Sequence, residues 1–237
     1  MSLMLAPPPE SVAALVATRP AAVRVLQRHR IDFWCGGHRP VDDVCFNVGI
    51  STSRLLLEVA AEETGRGAEW DWSRSSLASI IAEIIDRWHR PLEEELPRIQ
   101  AMADDFARLR RAPRCQELAA IVLALRDDLG PHMMIEEGVL FPLILDGNLA
   151  LAEFKSTSVR HGHAYLGSLL ARIRELTDDF QVPPNAIAPQ RSLWRALASL
   201  SRSLEEYISV EENVLLPRAL AGEDPHRGPM RTQRADA

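Results

Sequence analysis

The sequence predicts an all-α protein, and three observations lead to this fold class. Ala, Leu, Arg and Glu are abundant, and these residues favour helices. Several long stretches place apolar residues at steps of three and four, which is the spacing of one face of an α-helix. Runs of β-branched and aromatic residues that would indicate strands are scarce. We therefore expect the 237-residue chain to fold from packed helices.

Residues 1–64 are predicted to form a small helical domain. Apolar residues occur at helical spacing on both sides of a loop at residues 32–40, which two glycines and a proline mark. The stretch Thr64–Gly67 is the best candidate for a domain boundary. Because a domain of this size has a thin core, we expect it to pack on a partner surface or on the rest of the chain.

Residues 71–222 are predicted to form an antiparallel four-helix bundle. The connections are short enough for neighbouring helices to run antiparallel. We expect Pro91 and Pro97 to kink the first helix just past His89, and Pro217 to close the fourth. The apolar stripes run from Leu77 to His89, from Leu118 to Leu140, from Val159 to Ile173 and from Leu193 to Val214.

Composition and charge exclude several classes of function. A net charge of −6 disfavours nucleic acid as a partner. The N-terminus lacks the features of a signal peptide and no apolar run is long enough to cross a bilayer, so we expect a cytoplasmic protein without a membrane partner. Three cysteines without a CxxC pair argue against disulfides, and Cys115 is expected in the core. The polar residues 223–237 are expected to form a disordered tail.

An internal repeat is the most informative pattern in the sequence. Residues 132–142 read HMMIEEGVLFP, and residues 207–217 read YISVEENVLLP. The two segments share the frame Glu-Glu-x-Val-Leu-x-Pro and differ at the leading residue, which is His132 in one and Tyr207 in the other. His89 and His163 are separated by nearly the same interval, so we predict that one helical hairpin is used twice.

The repeat places ionisable residues on the apolar stripes of all four helices. A carboxylate on such a stripe is costly unless it is paired or bound to a metal, and no Lys or Arg lies on the same stripes. Residues four apart on a helix point the same way, so His132 and Glu136 can reach one metal centre. The predicted metal ligands are His89, His132, Glu136, His163, Tyr207 and Glu211.

A structural interpretation competes with the metal site for each of these residues alone. A single histidine on a helix face is usually a core residue, and a Glu-Glu pair usually faces solvent. Six such residues in a duplicated arrangement favour the metal site. Glu137 and Glu212 are about 100° further round the helix and are expected on the outer face or behind the ligands. His161 lies two residues from His163 and is expected at the surface.

The predicted ligand set also restricts the metal. Histidine and carboxylate ligands without a thiolate disfavour structural zinc and Cu(I), and favour a pair of iron or manganese ions. A tyrosine ligand would favour the ferric state.

With these ligand positions, the sequence resembles the RIC family of di-iron proteins, the ScdA and YtfE group. The resemblance covers nearly the whole chain. Its motifs are Ala17–Pro20, Asp32-Phe-x-Cys35-Gly-Gly37 and Val41–Cys45 in the first domain, and residues 132–142, Gly162-His163 and Glu211–Leu220 in the second. It implies a hemerythrin-like four-helix bundle preceded by a small ScdA-type domain.

The resemblance also implies a function. The family repairs iron–sulfur clusters after nitrosative or oxidative stress with two non-haem iron ions, which are oxo- and carboxylate-bridged. The expected small ligand is nitric oxide or oxygen. The expected protein partners are iron–sulfur proteins or scaffolds, and the chain could form a homodimer. We expect a repair or gas-binding protein rather than a turnover enzyme, and an oxygen-binding or sensing hemerythrin-like protein is the alternative.

Two positions depart from the family pattern. Tyr207 stands where the family has a fourth histidine, so it either binds iron as a phenolate or leaves a coordination position open. Trp34 replaces the first of two adjacent cysteines, so chemistry that needs a vicinal thiol pair is excluded. Cys35 could still act alone, as a site of nitrosation or iron handling, or it could simply pack beside Trp34.

Overall fold

Helices form the regular structure of the computed structural model, which describes residues 10–34, 36–64, 72 and 74–228. The all-α prediction is confirmed, since these ranges contain no β-strand and only an isolated bridge between Ser11 and Pro40. The chain divides into a first unit, Met1–Ile80 with Glu205–Ala237, and a second unit, Ile81–Leu204. The α-helices are α1 (Val12–Thr18), α2 (Ala22–Arg28), α3 (Val41–Asn47), α4 (Thr52–Thr64), α5 (Leu77–Ile84), α6 (Arg90–Arg110), α7 (Pro113–Ile135), α8 (Phe141–Leu145), α9 (Leu149–Leu176), α10 (Ala188–Val210) and α11 (Leu216–Leu220).

Within the described ranges, three π-helical turns of five residues each lie between these helices. They are π1 (Ile85–His89), π2 (Glu136–Leu140) and π3 (Glu211–Leu215). No single helix in the described part of the chain is both long and apolar enough to span a membrane. Only α3 and α4 taken together are long and apolar enough, and the axes of these two helices differ by 102°.

Helices α1–α4 of the first unit enclose a small apolar core. Leu15, Leu26 and Leu55 are fully buried there, and Phe33 from the loop after α2 is 1% exposed. Full burial of a leucine side chain stabilises a fold by about 1.5–3 kcal/mol. The core therefore contributes more to the stability of this unit than its partly exposed ion pairs, such as Arg24–Glu62 at 2.8 Å.

The loop between α2 and α3 is fixed to π3 within the same unit. The Asn213 amide donates hydrogen bonds to the Phe33 carbonyl at 2.7 Å and to the Ser209 hydroxyl at 3.0 Å. A Cβ atom at Gly37 would lie 2.0 Å from Asn213 Oδ1, so this close approach requires glycine. Gly37, one of the two glycines that mark the predicted loop, thus has a packing role.

The second unit, Ile81–Leu204, contains most of the antiparallel bundle that the sequence predicted for residues 71–222. Helix α7 packs against α6 and α9, and the rings of Phe106 and Trp194 meet edge-to-face at 5.4 Å between α6 and α10. At the beginning of α7, Arg114 donates to the Leu176 carbonyl at the end of α9, at 2.9 Å. This contact fixes the antiparallel direction of the two helices, and the four-helix bundle is confirmed.

Proline does not end the fourth helical segment, and this corrects the prediction made for Pro217. The chain passes from α10 through π3 into α11, which continues to Leu220. Helix α6 likewise continues through Pro97 to Arg110. A kink was predicted just past His89, and the irregular turn found next to this residue is π1, which ends at His89.

In the segment predicted to be a disordered tail, residues 225–227 form a turn and a bend. The Pro225 carbonyl accepts a hydrogen bond of 2.9 Å from the Ala78 amide. Residues 229–237 lie outside the described residues, as does the segment Gly65–Gly67 at the predicted domain boundary. The domain limits derived from the sequence therefore remain predictions.

Candidate metal centre

Four of the six predicted ligands lie close together in the second unit. His89 ends π1, His132 lies near the end of α7, Glu136 begins π2, and His163 lies near the middle of α9. His89, Glu136 and His163 are fully buried, and His132 is 7% exposed. Such burial of a carboxylate and three imidazoles requires a compensating interaction inside the cluster.

The Glu136 carboxylate is the centre of this group. Its Oε1 atom lies 2.7 Å from His132 Nε2 and 3.5 Å from His163 Nε2. Its Oε2 atom lies 3.5 Å from His89 Nε2. Three imidazole Nε2 atoms therefore converge on one carboxylate, and the two carboxylate oxygens face different imidazoles.

These separations suit the coordination of a metal ion. One ligand atom from each of His132, Glu136 and His163 lies within 4.8 Å of the others. Ligands bound about 2 Å from one ion are at most about 4 Å apart, so small side-chain movements bring the three to that geometry. Nitrogen and carboxylate ligands without a thiolate fit iron or manganese.

The charge state of Glu136 follows from its surroundings. Burial raises the pKa of the Glu136 carboxyl, but hydrogen bonding and charge interaction with His132 and His163 together lower it by more. The pKa is therefore held well below the ordinary value for glutamate, and the residue is an anion near neutral pH. An ionised carboxylate is the form that binds a metal.

The three π-helical turns share one local feature. In π2 the Phe141 amide bonds to the Glu136 carbonyl, five residues back, and Pro142 follows directly. Proline lacks an N–H and its ring excludes the carbonyl four residues before it, so the helix admits an extra residue at this point. Pro91 follows π1 and Pro217 follows π3 in the same position. A proline thus follows each widened turn, at His89, at Glu136 and at Glu211, although Pro97 and Pro131 lie inside α6 and α7 without such a turn.

His89 is held by two further side chains. Its Nδ1 atom lies 2.7 Å from Glu137 Oε1, and its ring stacks on Phe141 at 5.9 Å between centroids. The Glu137 side chain is 38% exposed, while His89 is fully buried. A carboxylate at Nδ1 favours the tautomer with the proton on Nδ1, which leaves Nε2 as the ligating atom.

The sequence predicted Glu137 either on the outer face or behind the ligands, and its contact with His89 agrees with the second position. The pattern did not predict which ligand Glu137 contacts. The sequence signal for the direction of Glu137 was Pro142, which follows the π-helical turn that contains it. A widened turn changes the direction of the side chains within it. Phe141 carried no signal beyond its apolar character.

Tyr207 and Glu211 belong to the first unit. Tyr207 is fully buried and lies near the end of α10, and Glu211 is 1% exposed and begins π3. Glu211 therefore occupies the same local position as Glu136, as the repeat predicted. Their participation in the metal centre remains a prediction.

The remaining candidates have separate outcomes. Cys35 lies outside the described residues, so its proposed role in nitrosation or iron handling remains a prediction. His161 is exposed, in contrast to His163. Cys115 is only partly buried, which corrects its assignment to the core, although burial still raises the pKa of its thiol.

Comparisons with known proteins agree with the architecture. The model of the hemerythrin HHE cation binding domain matches residues 80–219, and the ScdA_N model, a domain of unknown function (DUF542), matches residues 9–63. An iron–sulfur cluster repair protein YtfE from Yersinia pseudotuberculosis serotype IB (strain PB1/+) is 31% identical over 216 residues, which cover 90% of this chain and 98% of that relative. A protein of the same name from Yersinia pestis (strain Pestoides F) matches to the same extent.

The chain belongs to the RIC family. The resemblance noted from the motifs is therefore confirmed. The hemerythrin HHE match spans His89 to Glu211 and so includes every predicted ligand of this RIC-family protein. The ScdA_N match, over residues 9–63, includes Cys35.

Proposed function

We propose that this protein binds two iron ions in its hemerythrin-like bundle and acts in the repair of iron–sulfur clusters damaged by nitric oxide or oxidants. The repair role is suggested by the names of the Yersinia relatives. Iron is suggested by the buried histidine and carboxylate group and by the HHE cation binding match. The proposed ligands are His89, His132, Glu136, His163, Tyr207 and Glu211.

The arrangement around Glu136 is the observation that carries this proposal. Oε1 of this ionised, fully buried carboxylate faces His132 and His163, and Oε2 faces His89. A carboxylate with imidazoles at both oxygens would be able to help hold two metal ions. Glu211 begins π3 as Glu136 begins π2, so we propose it as a second carboxylate of this kind.

Bound iron would supply a redox-active Lewis acid that can bind a small diatomic gas. The chain supplies the rest of the chemistry. The histidine Nε2 atoms orient the site, Glu136 balances its charge, and Phe141, which is 2% exposed and stacks on His89, limits the access of water. A dry, oriented site strengthens each electrostatic interaction inside it.

The central experiment is an anaerobic titration of the iron-loaded protein with nitric oxide. We expect about two irons per chain in the wild type, rapid spectral change with nitric oxide, and loss of iron in Glu136→Ala. His163→Ala should also lose iron, whereas His161→Ala, which alters an exposed histidine two residues away, should retain it. Normal iron content in Glu136→Ala would contradict the proposed centre.

A second measurement separates repair from oxygen carriage. The iron-loaded protein is mixed with an iron–sulfur enzyme that nitric oxide has inactivated, and recovery of that enzyme's activity is followed. Recovery that requires the iron-loaded form supports repair. Reversible oxygen binding without recovery would instead support an oxygen-binding protein.

Tyr207 is tested by optical spectroscopy. A phenolate bound to ferric iron gives an intense visible absorption band, and Tyr207→Phe should abolish it while the protein remains folded. A band that survives this substitution would show that Tyr207 is not a ligand.

A further inference from the structure

The residue that precedes His163 lies in contact with another predicted iron ligand. A Cβ atom at Gly162 would lie 2.6 Å from Nδ1 and 2.8 Å from Cε1 of His132. Contacts of real Cβ atoms below 3.4 Å are uncommon, and below 3.0 Å they are essentially never seen. The edge of the His132 ring therefore occupies the space that a side chain at position 162 would need.

Glycine is an unfavourable residue at this position unless packing requires it. Position 162 lies in the interior of α9, where glycine destabilises the helix relative to alanine. Gly130, in the interior of α7, differs because a Cβ atom there would meet no side chain of another helix within 4 Å. The two glycines thus have opposite surroundings in helices of the same bundle.

We propose that Gly162 is a positioning residue for the metal centre, and this inference rests on the proposed iron site. Any side chain at position 162 must move either the His132 ring or the backbone of α9. Movement of α9 displaces His163, and the rings of His132 and His163 lie only 4.8 Å apart. Either response therefore changes the distance between two ligands.

The size of the displacement indicates the effect on binding. Increasing the contact from 2.6 Å to 3.4 Å requires a movement of about 0.8 Å. Metal–ligand distances tolerate only about 0.2 Å of variation. We therefore expect Gly162→Ala to lower iron affinity by at least about tenfold, which is the lower limit for disturbing residues that orient a metal ligand.

The test compares Gly162→Ala with Gly130→Ala as a matched control. Iron affinity is measured by competition with a chelator, and folding of the iron-free proteins is followed by circular dichroism on heating. We expect Gly162→Ala to lose affinity and Gly130→Ala to bind like the wild type. Wild-type iron affinity in both variants would overturn the proposed role of Gly162 but leave the iron site standing. A wild-type protein that binds no iron would overturn both the iron site and the role of Gly162.

A double variant tests the contact without iron. In the wild-type background, Gly162→Ala should lower the unfolding midpoint of the iron-free protein because of the clash. In a His132→Ala background the clash is absent, so Gly162→Ala should raise the midpoint through its better helix propensity. The same effect in both backgrounds would overturn the proposal, even if Gly162→Ala folds poorly by itself.

Discussion

Replacement of Glu137 tests how the protein orients a proposed iron ligand. Glu137 Oε1 lies 2.7 Å from Nδ1 of His89, whose Nε2 faces the Glu136 carboxylate. Glu137→Ala removes the acceptor at Nδ1, so His89 can turn or adopt the other tautomer. We expect weaker binding of iron by a protein that remains folded.

The structure sets the magnitude of this effect. A separation of 2.7 Å is typical of a charge-assisted hydrogen bond, and such bonds contribute about 1.5–3 kcal/mol. The Glu137 side chain is 38% exposed, so screening by solvent places the expected loss at the lower end. A loss of about 1.4 kcal/mol corresponds to a tenfold weaker affinity for iron.

Glu137→Gln provides a graded comparison. The amide oxygen can still accept a hydrogen bond from Nδ1, but a neutral acceptor is about half as strong, so we expect a loss of about threefold. Iron affinity is measured anaerobically by competition with a chelator. Glu117→Gln, which removes an exposed ion pair with Arg172 on the same bundle, serves as the control and should bind iron normally. An unchanged affinity in Glu137→Ala would refute the reasoning.

Three further substitutions test other parts of the structure. Pro142→Ala restores an N–H and permits an ordinary α-helical turn, so we expect a higher melting temperature and a lower iron content, measured by circular dichroism and iron assay. Asn213→Ala removes the hydrogen bond to the Phe33 carbonyl and should lower the free energy of unfolding in urea by about 1–2 kcal/mol. Hydrogen bonding from Arg24 lowers the pKa of Glu62, so this pair stabilises the fold at neutral pH and its contribution disappears as pH falls through the lowered pKa. NMR titration should show a higher pKa for Glu62 in Arg24→Ala.

The helical stripes explain why much of the bundle could be predicted from the sequence. Apolar residues at steps of three and four identify the buried face of a helix whatever its neighbours are. His132 and Glu136 lie on such a stripe one turn apart, and they are 7% and 0% exposed in the structure. Burial of the selected residues therefore follows from periodicity alone.

Contacts between helices could not be predicted in this way. His89 and Glu137 are distant in the sequence, and periodicity gives the face of each residue but not its neighbour on another helix. The direction of Glu137 was also estimated with 3.6 residues per turn, whereas it lies in a π-helical turn with a wider repeat. The space at Gly162 depends in the same way on a ring from another helix.

The prolines connect the irregular helices with the candidate metal centre. Each π-helical turn is followed by a helix whose second residue is proline, at Pro91, Pro142 and Pro217. A bundle selected only for stability would not keep three widened turns, because each one gives up regular helical hydrogen bonds. Each turn contains one proposed ligand, His89, Glu136 or Glu211, so we expect the turns to serve the proposed site. If the proposed ligands bind iron, the repeated proline belongs to the sequence pattern of the site, along with the histidines and glutamates.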